Sequence, residues 1–247
     1  MTGSTGTELL HYTDSYLRTF ETHVVAVDDQ THAVALAATA FFPTGGGQPH
    51  DTGRLGWDGG EAEVVDVRKA GNNVVWHTLV ETTSLPEISD RISGSIDWDR
   101  RYLLMRIHTA QHVLSGVIWR DYRARVTGAS MTPGEGRLDF ELPAMSQEFA
   151  RTVEANTNSE IARDLPVRVL FLPRAEADHD QSLLRLKANL IPRSVDPLRV
   201  IDIVGLDRQA DGGTHVASTN EVGRIRVLEA RSKGRDNKRI RIAVDDC

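Results

Sequence analysis

The chain of 247 residues has one cysteine, Cys247 at its end, so no disulfide can form within it; such usage fits a reducing compartment. No apolar run approaches the roughly 20 residues that a membrane-spanning helix needs. The opening residues, MTGSTGTELLHYTDSY, lack the basic and then apolar regions of a secretory signal. A cytoplasmic protein without membrane contact is the expectation. There is no surplus of positive charge either: the formal net charge is −6, which taken whole does not suggest a nucleic-acid binder. The glycine-rich run GGGQP lacks the Lys-Ser/Thr of a phosphate-binding loop, and no redox-cofactor motif, internal repeat or low-complexity segment occurs, so ATP binding is not expected. What remains, 40% hydrophobic and 26% charged residues, describes a globular chain long enough for one large domain or two ordinary ones.

Residues 20 to 80 read as β structure. The runs 22–27, 32–42, 62–67 and 73–80 are short and rich in β-branched or aromatic residues, with Gly, Asp, Asn and Pro between them. Such spacing suggests a small barrel or sandwich. The segment 85–90 breaks the pattern and places a boundary near residue 95. From Asp99 the period becomes helical: Leu103, Leu104, Ile107, Gln111, Leu114 and Ile118 recur at three- and four-residue steps, with Asp97 or Asp99 as cap. A second helix is expected over 147–163, and strands over 167–172, 198–203, 222–228 and 239–244. The fold class is therefore α+β: a small N-terminal β-barrel-like domain over 1–95, then an α+β domain over 96–247 with a mainly antiparallel sheet.

Two short pairs carry the chemistry. His108 and His112 lie in HTAQH, and Asp211 and His215 bracket DGGTH. On a helix, side chains four apart are neighbours, so the first pair presents two imidazoles to one point. Gly212 and Gly213 let the second pair converge through a tight turn or φ > 0. Three imidazoles and one carboxylate make a four-coordinate zinc shell, or a three-ligand shell with a position left for water. The histidines at 11, 23, 32, 50, 77 and 179 have no comparable partners. Charge is also unevenly spread: eight arginines and lysines lie between Arg224 and Arg241 against Glu229 and Asp236 alone. That segment is either a solvated ribbon edge or a face that steers a polyanion.

HTAQHVLSG (108–116) followed by QADGGTHVASTNEVGRIRV (209–227) resembles the second additional domain of alanyl- and threonyl-tRNA synthetases. The resemblance is strongest to freestanding alanyl-tRNA editing proteins of the AlaX type. FFPTGGGQPHDTG (41–53) looks like the glycine-rich motif of their medium-length members, and the segments 95–101, 137–143 and 233–242 fall in the expected order. The resemblance implies a metal-dependent hydrolase that removes mischarged serine, and glycine second, from alanine tRNA. It makes His108, His112, Asp211 and His215 the metal ligands, through which catalysis runs. The family usually has C-x-x-x-H where this chain has Asp211. Aspartate ligates zinc through oxygen, and a His3Asp shell admits other divalent ions more readily than His3Cys. Alternatively, Asp211 stays off the metal and accepts a proton from the attacking water, or the site is degenerate.

The expected substrate contacts are Thr44, Gly45, Gly46, Gly47, Gln48 and Gln111, with Thr44 offered to the hydroxyl of serine. A pocket built to bond that hydroxyl would reject alanine, which leaves its polar groups unpaired. The expected tRNA contacts are Arg100, Arg101, Lys233, Arg235, Lys238 and Arg239, with Arg106 beside them; no DNA partner is expected. Two other readings stay open: a non-catalytic tRNA-binding module with a structural or degenerate metal site, and a metallohydrolase of small esters or amides.

Overall fold

The β-branched runs of the first third pair into a closed barrel. The computed structural model describes residues 6–81, 84–180, 183 and 195–245; Cys247 lies outside them. Contacts divide the chain into two compact units, Met1–Tyr102 and Leu103–Cys247. The strands of the first are β1 (Glu8–Leu9), β2 (Thr19–Asp28), β3 (Ala33–Leu36), β4 (Ala38–Thr39), β5 (Gly53–Trp57), β6 (Gly60–Lys69), β7 (Val75–Leu79) and β8 (Arg91–Ile96). The barrel runs β2-β3-β7-β6-β5-β8 with every neighbour antiparallel, and β1 pairs in parallel with β4. Val24, Val34, Leu36, Phe41, Leu55, Val64, Val67, Leu79 and Ile92 are among the residues that fill its interior.

The alternation that marks these strands is broken twice, each time by a bulge. In β6 the inward residues are Ala62 and Val64 and then Val67, because the register shift between Val64 and Asp66 moves the next inward position from Asp66 to Val67. In β2 the same device lies between Val24 and Ala26, and the burial alternation of the strand stops there. The run 32–42 is not one strand; it divides at Ala37 into β3 and β4. Two of the six barrel strands went unread in the sequence, β5 (GRLGW) and β8 (RISGSI), whose glycines and polar residues hide the pattern. β8 is indispensable to closure, since it pairs with both β2 and β5.

Helix α1 (Trp98–Tyr122) starts at the end of the first unit and supplies the spine of the second. Asp97 caps it, accepting from the Arg100 amide at 3.3 Å. The expected apolar stripe is only part of the pattern, for every residue from Leu104 to Ile118 is buried. A helix enclosed on all sides must find partners for each polar side chain it carries, which sets up the site below. The second unit continues with β9 (Val126–Thr132), β10 (Glu135–Phe140), α2 (Gln147–Ile161), β11 (Val167–Leu172), β12 (Leu198–Ile203), β13 (Asp207–Ala210), β14 (Ile225–Gly234) and β15 (Asn237–Val244). They form two antiparallel sheets, β14-β15-β10-β9 and β11-β12-β13. β11 and β12 occupy the spans read from the sequence, whereas the 222–228 run begins at the last residue of a 3-10 turn (Thr219–Val222) and enters β14 only at Ile225.

Candidate metal centre

Helix α1 is held against the first sheet by Gln111. Its amide nitrogen donates to Ser130 O on β9 and Arg137 O on β10, each at 3.0 Å. With both amide protons spent there, Gln111 clamps the helix, and its nitrogen has no proton left to offer a substrate. His108, three residues before Gln111, and His112, the residue after it, face the end of β13. Period-two alternation along that strand puts Asp207, Gln209 and Asp211 on the face towards the helix. Asp211 lies one residue past the strand, and its amide donates to Arg199 O at 3.1 Å, while Arg199 Nη1 donates to Asp211 O at 2.8 Å. These bonds extend the pairing with β12 and fix where the carboxylate begins.

The turn that follows brings His215 back. Gly212 and Gly213 both keep φ out of the left-handed range, contrary to one expectation from the sequence. The tightness comes from the Asp211 side chain, whose Oδ1 accepts the Gly213 amide at 2.6 Å. The structure thus brings His108, His112, Asp211 and His215 together, with one ligand atom from each within 4.8 Å of all the others. The Nε2 atoms of the three rings lie 3.6, 4.0 and 3.3 Å from Asp211 carboxylate oxygens. Tetrahedral bonds of about 2.0–2.2 Å set donor atoms about 3.3–3.6 Å apart, so ligand atoms that lie within 4.8 Å of one another would draw in to grip an ion.

Each ring is aimed from its other nitrogen. His112 Nδ1 lies 3.0 Å from Asp207 Oδ2, His215 Nδ1 lies 3.1 Å from Thr109 Oγ1, and His108 bonds the backbone of Thr214. All three are buried, and burial is the first influence on their protonation. It pushes His108 down to about 4 despite the attraction of Asp211. It also holds His215 well below the usual range, reinforced by the charge of His108. His112 goes the other way, because the hydrogen bond and charge of Asp207 outweigh burial and raise it. Burial resists ionisation of Asp211 too, yet the neighbouring imidazoles keep its carboxyl well below the ordinary value. Neutral His108 and His215 beside an ionised Asp211 are the states a divalent ion requires of those ligands, and His112 has to give up its extra proton to join them.

The other expected contacts fall differently. Gly45 and Gln48 bond each other through both backbone amides, at 3.0 and 2.9 Å, and Gly46 and Gly47 between them have φ of 58° and 90°. That is a two-residue turn of the kind requiring positive φ at both positions. A Cβ on Gly46 would meet nothing within 4 Å among the described residues, so conformation and not room accounts for glycine there. Gln48 is buried, and Thr44 Oγ1 sits 3.2 Å from both Nδ1 and the amide of His50.

Several of the expected tRNA contacts are corrected. Arg101 is fully buried, its guanidinium bonded to both oxygens of Asp51 and to Ser15 O and Ala40 O, leaving no face for a phosphate. Arg106 is equally enclosed, bonded to Val222 O and Asp245 O. Lys238 is buried with Nζ on Gly234 O and Arg235 O, and Arg239 grips Asp139 through two bonds. Arg100 is half-buried and donates to His50 O. Lys233 and Arg235 stand exposed at the tip of the β14–β15 hairpin.

Residues 8–100 match the class II (A) tRNA synthetases, and residues 198–241 match the threonyl and alanyl tRNA synthetase second additional domain. These two matches relate the chain to tRNA synthetases and to their second additional domain. It is 37% identical to the alanyl-tRNA editing protein AlaX-M of Saccharolobus solfataricus over 95% of this chain and 97% of the relative. It is also 37% identical to AlaX-M of Methanosarcina acetivorans over the same shares. An alanine–tRNA ligase of Pyrobaculum neutrophilum is 40% identical over 90% of this chain, which corresponds to 25% of that ligase. The chain belongs to the AlaX-M family of alanyl-tRNA editing proteins.

Proposed function

We propose that this protein is a trans-editing deacylase that hydrolyses the ester of serine, and of glycine, mischarged on alanine tRNA. The observation that carries the reading is the convergence of His108, His112, Asp211 and His215 in a chain matched end to end by alanyl-tRNA editing proteins. Zinc is the proposed ion, one per chain, and the oxygen donor of Asp211 admits other divalent metals. When bound, such an ion supplies Lewis-acid and water-activating chemistry. The protein's own part is orientation and enclosure. Asp207, Thr109 and the Thr214 backbone hold the rings with Nε2 inward, and Asp211, tied by the Gly213 amide, keeps an oxygen facing His108 and His112.

Selection against alanine follows from what alanine lacks. A site with a polar partner for the serine hydroxyl loses that bond when alanine enters, whereas glycine is told from alanine by size alone. Thr44 is the proposed partner, and taking that role would have it exchange its bonds to His50. For the tRNA, the exposed Lys233 and Arg235 are the proposed phosphate contacts, with Arg224 and Arg231 on the same strand. The cytoplasm is the proposed compartment.

The test is release of serine from alanine tRNA charged with serine, run beside correctly charged alanyl-tRNA. Rapid loss of serine with alanine spared is expected. Loss of neither by folded, zinc-supplied protein would contradict the deacylase reading.

A further inference from the structure

We infer that Asp207 is the positioning residue of the metal centre, fixing His112 with its Nδ1 proton held and its Nε2 lone pair aimed into the quartet. This rests on reading the quartet as a metal site. The carboxylate is buried, with Oδ2 at 3.0 Å from His112 Nδ1, and it is itself oriented. Gln209 Nε2 donates to Asp207 Oδ2 at 2.8 Å and lies 3.3 Å from Ser115 Oγ on the turn of α1 below His112. The chain Ser115–Gln209–Asp207–His112 thus leaves and re-enters the same helix.

Two physical demands explain why a carboxylate stands there. An imidazole ligates through one nitrogen only if the proton is kept on the other, and an acidic acceptor on Nδ1 enforces that tautomer and raises the basicity of Nε2. Charge is the second. Three neutral imidazoles and one carboxylate carry a single negative charge, so a divalent ion among them keeps one positive charge in a buried place. Asp207 supplies the compensating negative charge one ring away, where an uncompensated one would be costly.

The backbone makes room for this arrangement. Gly116, four residues after His112 on the same helical face, is where the approach to β13 occurs. A Cβ there would lie 3.0 Å from Leu206 Cγ, 3.1 Å from Leu206 O and 3.2 Å from Asp207 Cβ. Any side chain at 116 would push the start of β13, and Asp207 with it, away from His112. Ser115 and Gly116 in the HTAQHVLSG run, and Asp207 and Gln209 in DRQAD, are thereby accounted for as one device.

The experiment measures zinc affinity of the full chain by competition with a chromogenic chelator, and the absorption spectrum of the cobalt-substituted protein, for wild type, Asp207→Asn, Asp207→Ala, Gly116→Ala, His112→Ala and the pair His112→Ala with Asp207→Asn. Asp207→Asn is expected to weaken zinc about 10-fold and Asp207→Ala to approach about 100-fold. Gly116→Ala, which leaves every charged group in place, should weaken binding and alter the cobalt spectrum. Without the His112 ring, Asp207→Asn should change affinity little, since it acts through that ring. Wild-type uptake of zinc with unchanged affinity in Asp207→Asn and Gly116→Ala would overturn this inference alone. So would an equal loss from Asp207→Asn with and without His112. Failure of the wild type to take up zinc or cobalt would overturn the metal reading with it.

Discussion

Replacing Arg101 by methionine tests whether this arginine builds the protein or binds its substrate. The side chain and Asp51 are both fully buried, and the guanidinium has four bonded acceptors: two carboxylate oxygens, Ser15 O and Ala40 O. In Arg101→Met, Asp51 would keep, among the described residues, only the Phe42 amide, at 2.6 Å, as a donor to a buried charge. Removing one partner of a buried pair costs about 3–5 kcal/mol. Two orphaned carbonyls would each add about 1 kcal/mol. Against a total stability of about 5–15 kcal/mol, the barrel unit should be close to unfolding. Urea denaturation followed by circular dichroism and by fluorescence of Trp57, Trp76 and Trp98 reads the change. The pair Asp51→Asn with Arg101→Met should recover part of the loss, because the uncompensated charge is gone. A single variant within about 1 kcal/mol of wild type, or a pair as unstable as the sum of its singles, would refute the argument.

Three further outcomes are expected. His108 at about 4 and His215 well below its usual range bind protons less readily folded than unfolded, so metal-free protein should lose stability as pH falls from 6.5 towards 4. The loss from His108 alone is about 2 kcal/mol between roughly pH 7 and pH 5. His112, raised by Asp207, works in the opposite sense: its contribution is complete below about 6.5 and fades as pH climbs through the folded value, so the net slope is shallower. A urea midpoint that stays flat or rises on acidification through that window would refute this. Asp211→Cys should raise the preference for zinc over manganese, measured by competition, because a thiolate is the softer donor. An unchanged preference would mean that residue 211 stays off the metal. Changing Lys233 and Arg235 together to alanine should weaken tRNA binding and lower its salt slope by about 1.5, whereas an unchanged slope would remove the hairpin tip from the interface.

The legible part of this protein was the part where one physical constraint acts alone. Four-residue spacing on a helix and the short D-G-G-T-H turn identified the quartet, because convergence of ligands needs little beyond local geometry. β11 and β12 could be read because their runs are continuous and β-branched. β5 and β8 could not, since glycine and serine positions there serve tertiary contacts that no local pattern encodes. The arginines misled for a related reason. Charge suggests solvent, but Arg101 and Arg106 lie on a helix enclosed on nearly every face, where carbonyls and Asp51 are their partners. Asp207 was missed although a signal existed: Asp207, Gln209 and Asp211 alternate along a strand, so a face that ends in a ligand carries two more polar groups. Recognising it required knowing which side of β13 meets α1.

The most direct test is metal content set against turnover. The protein would be stripped with chelator, reconstituted with zinc to one equivalent, and assayed for serine release from mischarged alanine tRNA in wild type and Asp211→Ala. Activity that disappears on stripping, returns in proportion to zinc bound and is lost in Asp211→Ala is the expected result. Full serine release by metal-free protein would contradict the account at its centre.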